Sequence, residues 1–537
     1  MKHSVILFAV FIFFAVQSYG QVNLEVELRA RLEHVLPEEK IRVNSDILEY
    51  SNQIHGFYAN QAFQPVWLSN GQLRSNAKEF IQILDEVKYD GLDPRFYHQN
   101  LILALVQSIQ NGNEGNLVDL ELILTDAFFQ VTKDLHQGKV NYEQFEKDWE
   151  IKPKVPRFNY SDLLLQAKNG ASFPSIFEKL YPDFKMYSHG REIIKNLYAL
   201  DQKYPDSWKD ISLRGAIRVG EENKILPDMR QRLAFWGYMN DEHLTQNLLY
   251  DSTAMLAIKA FQKRNGMEPD GVVGKLTINA LNQSPADLID KAAINMERLR
   301  WLPDTLKTGP MVLVNIANYQ LDFLNDLDTL LSERVIVGKR FHESPIFQGE
   351  MSYIVFSPYW NLPTSITRGE ILPKARKDPG YLASKNIEIV DNSGQVVSPE
   401  SVDWNSKSFP YRLRQKPGET NSLGLVKFMF PNSHSVYIHD TPARSLFARE
   451  ERAMSHGCIR VQNPSDFAAL LLRDKPEWTA QKIDEAMHQS TEKTVYLKEK
   501  IPVVLLYLTF WADGAGNGHF RPDVYERDEE LLAALRK

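Results

Sequence analysis

The single cysteine of the chain, Cys458, lies in the hexapeptide SHGCIR at residues 455–460. A thiol attacks a carbonyl carbon as the thiolate. Because a free thiol is mostly protonated at neutral pH, it needs a base or a positive charge beside it. The surrounding sequence supplies three histidines and one arginine, namely His434, His439, His456 and Arg460. These residue types predict nucleophilic acyl-transfer chemistry at Cys458.

Strand alternation indicates which histidine is the base. In SVYIHD, the apolar residues Val436 and Ile438 alternate with His439, which therefore lies on the opposite face at the end of a predicted strand. His456 is held in the same tight turn as the cysteine, which limits its freedom to move a proton, and His434 lies in a turn that is expected to be exposed. We therefore expect His439 to act as the base, with His456 as the alternative.

The residues next to the cysteine suggest how a reacting oxygen is held. Gly457 lets the backbone approach a substrate carbonyl closely, and the N–H groups of Gly457 and Cys458 are candidates for binding the developing oxyanion. Arg460 either holds a substrate carboxylate or supports the thiolate, or it forms a salt bridge with Glu450 or Glu451. The sequence leaves this choice open.

The first residues, MKHSVILFAVFIFFAVQSYGQ, are typical of a secretory signal peptide over residues 1–20. Lys2 precedes an uninterrupted apolar run, and small residues follow at a cleavage site. The run is too short to span a bilayer comfortably, and retention as an uncleaved signal anchor is the alternative. A secreted chain with one cysteine forms no internal disulfide, so we expect a free, reactive thiol rather than a buried, inert one.

Length and hydrophobic periodicity predict a multidomain α+β protein with about three domains. Residues 21–220 have helical periodicity, residues 225–283 contain three short predicted helices, and residues 310–498 are mostly β. Within the β region, about 364–418 is polar and too long for an ordinary connection, so we expect a functional insertion or lid. Residues 499–537 are expected to add a strand and a tail. The net charge of −7, without blocks of like charge, argues against nucleic acid as a partner.

Several motifs resemble a known family. The segment VYIHDTPARSLF…RAMSHGCIRV is similar to the signature of L,D-transpeptidases with a YkuD-type catalytic domain, and the spacing from His439 to Cys458 is that of its large periplasmic members. The blocks VIVGKRFHESPIF, SPYWNLPTSITRGEILP, RQKPGETNSLGLVKFMFPN and LYLTFWADGAGNGHFRPDVYERD fit the same subgroup. FYANQAFQPVW and YDGLDPRFYH resemble its scaffold domain, and FQKRNGMEPDGVVG resembles a three-helix peptidoglycan-binding module. One difference is Ser422, where the family usually has alanine.

The resemblance implies a YkuD-like β-sandwich, in which the insertion at about 364–418 is a capping loop over the donor. Cys458 would be the nucleophile and His439 its proton donor and acceptor, oriented by the backbone carbonyl of Asp440. The catalytic motif would be completed by His456, Gly457 and Arg460. The expected substrate-binding residues are Tyr437, Asp440, Ser455, Trp360 and Asn421. No metal and no organic cofactor are implied.

The resemblance also implies a reaction. The thiolate would attack the carbonyl of the third residue of a peptidoglycan tetrapeptide stem, D-alanine would leave, and a side-chain amine of a second stem would resolve the thioester into a 3→3 cross-link. Carbapenems acylate the catalytic cysteine of family members. A D,D-carboxypeptidase that produces the tetrapeptide is a candidate partner. The expected location is the periplasm or cell envelope of a Gram-negative bacterium.

Other functions remain open from the sequence. An L,D-carboxypeptidase would use the same donor with water as acceptor, and a catalytically silent peptidoglycan-binding protein would keep the modules without turnover. Attachment of a lipoprotein lysine to the wall is a further variant. A zinc hydrolase would use His434, His439, His456 and Cys458 with Asp440, but the chain has neither an H-E-x-x-H helix nor a paired C-x-x-C.

Overall fold

The structure is a computed structural model that describes residues 23–36, 39–146, 148–203, 208–306, 309–326, 328–378, 380–404 and 409–537. The signal peptide predicted at 1–20 lies outside the described residues. Two compact units are present. One contains the described residues up to Val87 together with Asp93–Asp134 and Arg157–Leu180, and the other contains the rest. Among the described residues, no helix combines the length and the apolar character needed to cross a bilayer.

The helices of the described chain are α1 (Leu24–Leu32), α2 (Ser51–Asn60), α3 (Ser75–Glu86), α4 (Gln99–Gln110), α5 (Leu117–Gln137), α6 (Tyr142–Phe145), α7 (Tyr160–Lys168), α8 (Phe173–Glu178), α9 (Lys185–Lys203), α10 (Leu226–Phe235), α11 (Ser252–Arg264), α12 (Lys275–Leu281), α13 (Pro285–Trp301), α14 (Thr364–Ile366), α15 (Leu372–Ala375), α16 (Tyr381–Ser384), α17 (Pro464–Leu471), α18 (Ala480–Met487) and α19 (Asp528–Leu535).

The strands are β1 (Arg42–Val43), β2 (Asp46–Ile47), β3 (Leu68–Ser69), β4 (Gln72–Leu73), β5 (Pro310–Asn315), β6 (Gln320–Asn325), β7 (Asp328–Gly338), β8 (Phe347–Phe356), β9 (Trp360–Asn361), β10 (Ile387–Val390), β11 (Val396–Val397), β12 (Arg412–Gln415), β13 (Val426–Met429), β14 (Ile438–His439), β15 (Ala453–Ser455), β16 (Ile459–Val461), β17 (Lys493–Leu506), β18 (Phe510–Ala512) and β19 (Gly518–Phe520). The predicted α+β class, with a helical N-terminal region and a mostly β C-terminal domain, is confirmed.

The first unit is helical and has an aromatic core. The Trp67 ring stacks on both Phe80 and Phe173, with centroids 5.0 and 5.3 Å away. The buried Glu121 carboxylate accepts hydrogen bonds from the backbone N–H of Trp67 at 3.1 Å and from the Tyr58 hydroxyl at 2.9 Å. Burial raises the pKa of Glu121 to about 7, and these donors oppose the shift. A buried carboxylate needs hydrogen-bond partners. By finding them in Tyr58 and Trp67, Glu121 of α5 links this helix to α2 and to the segment before β3.

Residues 225–283 lie in the second unit and contain α10, α11 and α12. A proline lies in the first turn of α10, and Asp251 caps α11 by accepting the N–H of Ala254 at 2.9 Å. The three helices enclose a core of their own, to which α10 contributes Met229 and Leu233 and α11 contributes Phe261.

A sheet that closes on itself dominates the second unit. Its strands follow the order β15-β7-β16-β14-β13-β8-β17-β5-β6, and β6 pairs again with β7. The long strand β7 makes this closure, because its first part pairs with β6 and its end pairs with β16. The strands therefore form a barrel, where the resemblance predicted a sandwich of sheets. Apolar side chains, among them Val312, Phe323 and Ile354, fill its core.

The polar stretch at about 364–418 is a folded segment with its own core. It contains α14 to α16 and contributes to a sheet of order β11-β10-β12-β9. Leu372, Leu382, Ile389 and Leu413 are buried together there. The length that predicted an insertion therefore reflects local folding around an apolar cluster, even though the overall composition of the stretch is polar.

Candidate active site

Strand pairing brings the predicted catalytic residues to one face of the barrel. Strands β14 and β16 run parallel, with His439 opposite Arg460. The N–H of Ile459 donates to the carbonyl of Tyr437 at 3.1 Å, which continues this pairing before the two strands. Because side chains alternate along a strand, Tyr437 and His439 share a face with Cys458 and Arg460. The residues predicted from separate motifs are thus neighbours on two adjacent strands.

The imidazole of His439 is buried and oriented by the backbone. Its Nδ1 lies 2.5 Å from the carbonyl oxygen of Asp440, and the side chain is 4% exposed. A carbonyl only accepts hydrogen bonds, so Nδ1 carries the proton and Nε2 keeps a lone pair that can take one. Burial, followed by the positive charge of Arg460, lowers the pKa of His439 to about 3, while the carbonyls of Asp440 and Leu423 oppose the shift. The ring is therefore a neutral base at physiological pH.

The carboxylate of Asp440 is used inside the protein. It accepts the N–H of Leu425 at 2.8 Å and that of Thr441 at 2.6 Å, and it pairs with Arg444 at 2.6 Å. A side chain at Gly424, whose φ is +62°, would clash with this carboxylate. Asp440 was expected to bind substrate and to orient His439 through its carbonyl. The carbonyl contact is present and the side chain supports the loop, whereas its contact with a substrate stays a prediction.

The thiol of Cys458 is half-buried beside two polar side chains. Its Sγ lies 4.0 Å from the Ser435 carbonyl. Burial raises the pKa of the thiol, and hydrogen bonds with Tyr437 and the charge of Arg460 oppose the shift. Burial, together with the negative charge that the thiol can acquire, raises the pKa of the Tyr437 hydroxyl, and a hydrogen bond with Trp360 opposes this shift. The resting site therefore holds a protonated thiol at the end of a Trp360–Tyr437–Cys458 chain.

The turn between β15 and β16 is closed by Ser455. Its hydroxyl donates to the carbonyl of Cys458 at 2.6 Å and accepts the N–H of Gly457 at 3.1 Å. Gly457 has a φ of +109°, which other residues rarely adopt. Two N–H groups, those of Gly457 and Cys458, were predicted to bind the oxyanion. The N–H of Gly457 is already bonded to Ser455, whereas that of Cys458 has no acceptor among the described residues. The resemblance placed Ser455 among the substrate-binding residues, but its buried hydroxyl shapes the turn.

The guanidinium of half-buried Arg460 lies near the thiol and can interact with a further group. Burial lowers its pKa, and the negative charge available at Cys458 opposes the shift. Its Nε is buried without a hydrogen-bond partner in the described chain. Glu450, one of the two alternative salt-bridge partners, accepts the N–H of Glu268 at 3.0 Å. This geometry favours a role for Arg460 in holding a substrate carboxylate or in supporting the thiolate over a surface salt bridge.

The ring of His456 lies close to residues outside the cysteine turn. Its Nε2 lies 3.5 Å from Oε1 of Glu370, which belongs to the folded insertion, and its ring lies 5.3 Å from that of His342. Burial and then the charge of Lys339 lower the pKa of His456, and Glu370 opposes them. His456 therefore connects the cysteine turn to the insertion.

Asn421, a predicted substrate-binding residue, has its polar atoms bonded within the protein. Its amide nitrogen donates to the carbonyls of Lys416 at 2.8 Å and Pro358 at 3.0 Å, and its oxygen accepts the N–H of Leu423 at 2.8 Å. The side chain is 1% exposed. It joins the two ends of the insertion, and its expected contact with a substrate stays a prediction.

Two residues of the site were not identified from the sequence. Ser344 donates its hydroxyl to the Gly457 carbonyl at 2.7 Å, and Glu370 approaches His456 as described above. Both belong to blocks that carried the family resemblance, FHESPIF and TRGEILP. No spacing relative to Cys458 could have distinguished them, because long-range folding brings them to the turn. Among the described residues, no group of three or more His, Cys, Asp or Glu side chains is arranged to hold a metal ion.

Family models match three parts of the chain. The "Scaffold domain" model matches residues 52–192, the "Putative peptidoglycan binding domain" model matches 225–281, and the YkuD model, described as "L,D-transpeptidase catalytic domain", matches 309–492. These matches cover the helical region, the region of α10 to α12 and most of the barrel.

The chain is also similar to a curated protein and to solved structures. A "Putative L,D-transpeptidase" of Haemophilus influenzae is 38% identical over 251 residues, which are 46% of this chain and 50% of the relative. The chain thus spans about half the length of that relative. Solved L,D-transpeptidases of Xylanimonas cellulosilytica and Stackebrandtia nassauensis are 15% and 16% identical. Each match covers 55% of this chain, with 100% and 97% of the solved chains and TM-scores of 0.18 and 0.21, too low to support an argument.

The catalytic motif, the barrel that carries it and the three family matches lead to one assignment. The chain contains the L,D-transpeptidase catalytic domain of the YkuD family, together with a scaffold domain and a peptidoglycan-binding domain.

Proposed function

We propose that this protein is a peptidoglycan L,D-transpeptidase that forms 3→3 cross-links through a thioester at Cys458. The observation that carries the proposal is the shared face of Cys458 and His439 on paired strands inside a YkuD domain. A thiol and a neutral imidazole that can accept a proton are the two groups that acyl transfer requires. The peptidoglycan-binding domain supports the same substrate class.

The reaction begins with the donor stem. As the thiol of Cys458 attacks the carbonyl of the third residue, His439 takes the thiol proton on Nε2, and a tetrahedral oxyanion forms. The carbon–nitrogen bond to D-alanine breaks, and His439 returns the proton to the leaving amine. The side-chain amine of a second stem then attacks the thioester, His439 accepts a proton from that amine, and the thiol is restored as the cross-link forms.

The electrostatics of the site suit the charges that form during this reaction. A protonated thiol on the same face as a neutral histidine means that charge separates only when the substrate carbonyl is attacked. The N–H of Cys458 is the candidate donor to the oxyanion, and fixed donors of this kind are effective in sites with little water. Arg460, which has no acidic partner in the described chain, is the candidate contact for a stem carboxylate.

The folded insertion is the candidate cap over the donor. Two contacts support this role: Glu370 lies next to His456 of the cysteine turn, and Trp360, on β9 of the insertion's sheet, is hydrogen-bonded to Tyr437 beside the thiol. A cap that excludes water favours an amine over water as the acceptor. The same reasoning makes L,D-carboxypeptidase activity the expected side reaction when the cap is open.

A substrate of this kind requires a location in the cell envelope, which agrees with the leader predicted from the sequence. The tetrapeptide donor must be supplied by an enzyme that removes the terminal D-alanine of a pentapeptide stem, so a D,D-carboxypeptidase is the proposed functional partner. Both statements depend on the proposed activity.

The test is turnover of disaccharide-tetrapeptide muropeptides by the purified protein, with products identified by mass spectrometry. Cys458→Ala serves as the inactive variant, and Ser422→Ala, which only restores the usual family residue, serves as the matched control. A cross-linked dimer that lacks one D-alanine, and that is absent with Cys458→Ala, is the expected product. Tripeptide alone would identify water as the acceptor. If no product depends on the cysteine while the protein still binds intact sacculi, the proposal is wrong and the wall-binding function replaces it.

A further inference from the structure

The carbonyl of Gly457 is held by a residue outside the cysteine motif. The hydroxyl of Ser344 donates to this carbonyl at 2.7 Å and accepts the N–H of Gly338 at 3.0 Å. Ser344 is 0% exposed. A side chain at Gly338 would clash with the His342 carbonyl, so the segment 338–344 packs tightly on itself. The cysteine turn therefore has an external hydrogen bond to a compact loop.

One tyrosine hydroxyl from the C-terminal tail holds both ends of that loop. The hydroxyl of Tyr525 donates to the carbonyl of Gly338 at 2.6 Å and accepts the N–H of Ser344 at 3.2 Å. Its side chain is 4% exposed, and its ring stacks on that of Tyr507 with centroids 5.3 Å apart. Tyr507 in turn accepts the N–H of Tyr525 at 2.9 Å. Such buried, fully bonded groups form a rigid support.

Charged neighbours of Tyr525 bind the same loop. Arg527 donates from Nε to the Glu343 carboxylate at 3.1 Å, and Glu526 pairs with Arg340. These tail residues follow the region 309–492 that matches the catalytic domain model. The support of the cysteine turn therefore comes from a part of the chain beyond the recognised catalytic domain.

The Gly457 carbonyl and the Cys458 N–H belong to one peptide unit. Because a peptide unit is planar and trans, a bond that fixes the direction of the carbonyl also fixes the opposite direction of the N–H. Gly457 has a φ of +109° and no side chain, so its own conformation restrains this unit little. The hydrogen bond from Ser344 supplies the missing restraint.

We propose that Tyr525, acting through Ser344, is a positioning residue that aims the N–H of Cys458 at the oxyanion of the acyl-transfer step. The inference rests on the proposed function in that it concerns the same thiol and the same oxyanion. Neither side chain touches the reacting atoms. They act only through the 457–458 peptide, so their loss should weaken reactions that form an oxyanion and spare reactions of the thiol that do not.

Two reagents separate these effects. p-Nitrophenyl acetate acylates the thiol through a tetrahedral oxyanion: a sulfur–carbonyl bond forms, the ester bond breaks, p-nitrophenolate leaves and the thiol proton passes to His439. Iodoacetamide alkylates the thiol by displacement of iodide at a saturated carbon, which forms no oxyanion. The rate of acylation divided by the rate of alkylation, measured on the full chain at one pH, therefore reports the oxyanion donor.

We expect this ratio to fall about tenfold or more in Ser344→Ala and in Tyr525→Phe, since removal of an oxyanion donor costs about 10²- to 10³-fold and misdirection costs less. The matched control is Tyr250→Phe, which removes another buried tyrosine hydroxyl that donates to a backbone carbonyl, that of Gly271 at 2.8 Å. It should leave the ratio within about twofold of the wild type, since distant sites act independently. The double variant Ser344→Ala/Tyr525→Phe should fall no further than the lower single variant, because both act through one chain of bonds.

An unchanged ratio in Ser344→Ala and Tyr525→Phe, or a fall matched by Tyr250→Phe, would overturn the inference. Thermal unfolding of each variant shows that it is folded before the rates are compared. Muropeptide turnover is assayed in parallel. If the wild type forms no cross-link while the ratio still falls in the two variants, the proposed function fails and the positioning role stands.

Discussion

Nδ1 of His439 and the carbonyl oxygen of Asp440, its neighbour in the chain, lie 2.5 Å apart, and this contact decides which nitrogen of the neutral ring carries the proton. Because the acceptor is a backbone carbonyl, it cannot gain or lose a proton, so Nδ1 remains the donor whether or not Nε2 is protonated. The Asp440 carboxylate does not take part in this contact and is turned towards Leu425, Thr441 and Arg444.

Asp440→Asn separates these two tasks. We expect kcat to stay within about threefold of the wild type, whereas an aspartate that orients a histidine through its side chain costs about 10⁴-fold when it becomes asparagine. The free energy of unfolding should fall by about 1–3 kcal/mol, because an amide cannot accept from all three partners. Steady-state kinetics and thermal unfolding measure both. A loss of kcat without a loss of stability would show that the side chain takes part in orientation.

Substitution of the two candidate bases should have different effects. His439→Gln should lower kcat by about 10²- to 10⁴-fold, the usual contribution of a general base. His456→Gln should lower it by less than about tenfold and leave stability nearly unchanged, because its pair with Glu370 is half-exposed and such pairs contribute little. Muropeptide kinetics of both variants provide the comparison. The assignment of the base would be reversed if His456→Gln were the more damaging change.

Alkylation of Cys458 should report a thiol that is harder to ionise than a free one. Because burial raises its pKa, the rate with iodoacetamide should rise with pH along a curve whose midpoint lies above about 8.5, the value for an ordinary cysteine. Arg460→Gln removes the positive charge that opposes this shift, so the midpoint should move to still higher pH. Mass spectrometry of the alkylated protein gives the rates. A midpoint below that of free cysteine would instead indicate a thiolate already formed in the resting enzyme.

The buried His439 should also make the protein sensitive to acid. Its pKa is lowered from 6.5 to about 3, so between these values the unfolded chain takes up a proton that the folded protein does not. The contribution to the free energy of unfolding is therefore complete above pH 6.5 and is lost as the pH falls towards 3. Urea unfolding at several pH values should show a weaker pH dependence in His439→Gln than in the wild type. Identical dependence in both proteins would contradict the lowered pKa.

Asn421→Ala tests whether Asn421 contacts the substrate or only supports the fold. Its removal takes one partner from each of three backbone groups, the carbonyls of Lys416 and Pro358 and the N–H of Leu423, so the free energy of unfolding should fall by about 1–3 kcal/mol. The KM for muropeptide should change by less than about threefold if the residue has no substrate contact, since KM reports binding that kcat does not. A rise in KM with unchanged stability would restore the substrate-binding role.

Local patterns were sufficient to predict much of the site. The alternation in SVYIHD predicted the polar face of His439, and the strand pairing places that residue on the same face as Cys458 and Arg460. The turn residues of SHGCIR predicted a tight turn, which Gly457 and Ser455 form. These features depend on neighbours within a few positions, which is the range over which periodicity and turn chemistry act.

The sequence by itself determined the α+β class, the chemical types at the site and the strand on which His439, the proposed base, lies. Only the tertiary structure decided that the sheet closes into a barrel, that the Gly457 N–H is occupied, that Asn421 faces inwards and that Tyr525 holds the loop under the cysteine turn. Each of these depends on hydrogen bonds or strand pairs between residues far apart in the chain. A residue's type shows what it can donate or accept, but its partner is chosen by the fold, because buried polar groups bind whichever groups the packing brings to them.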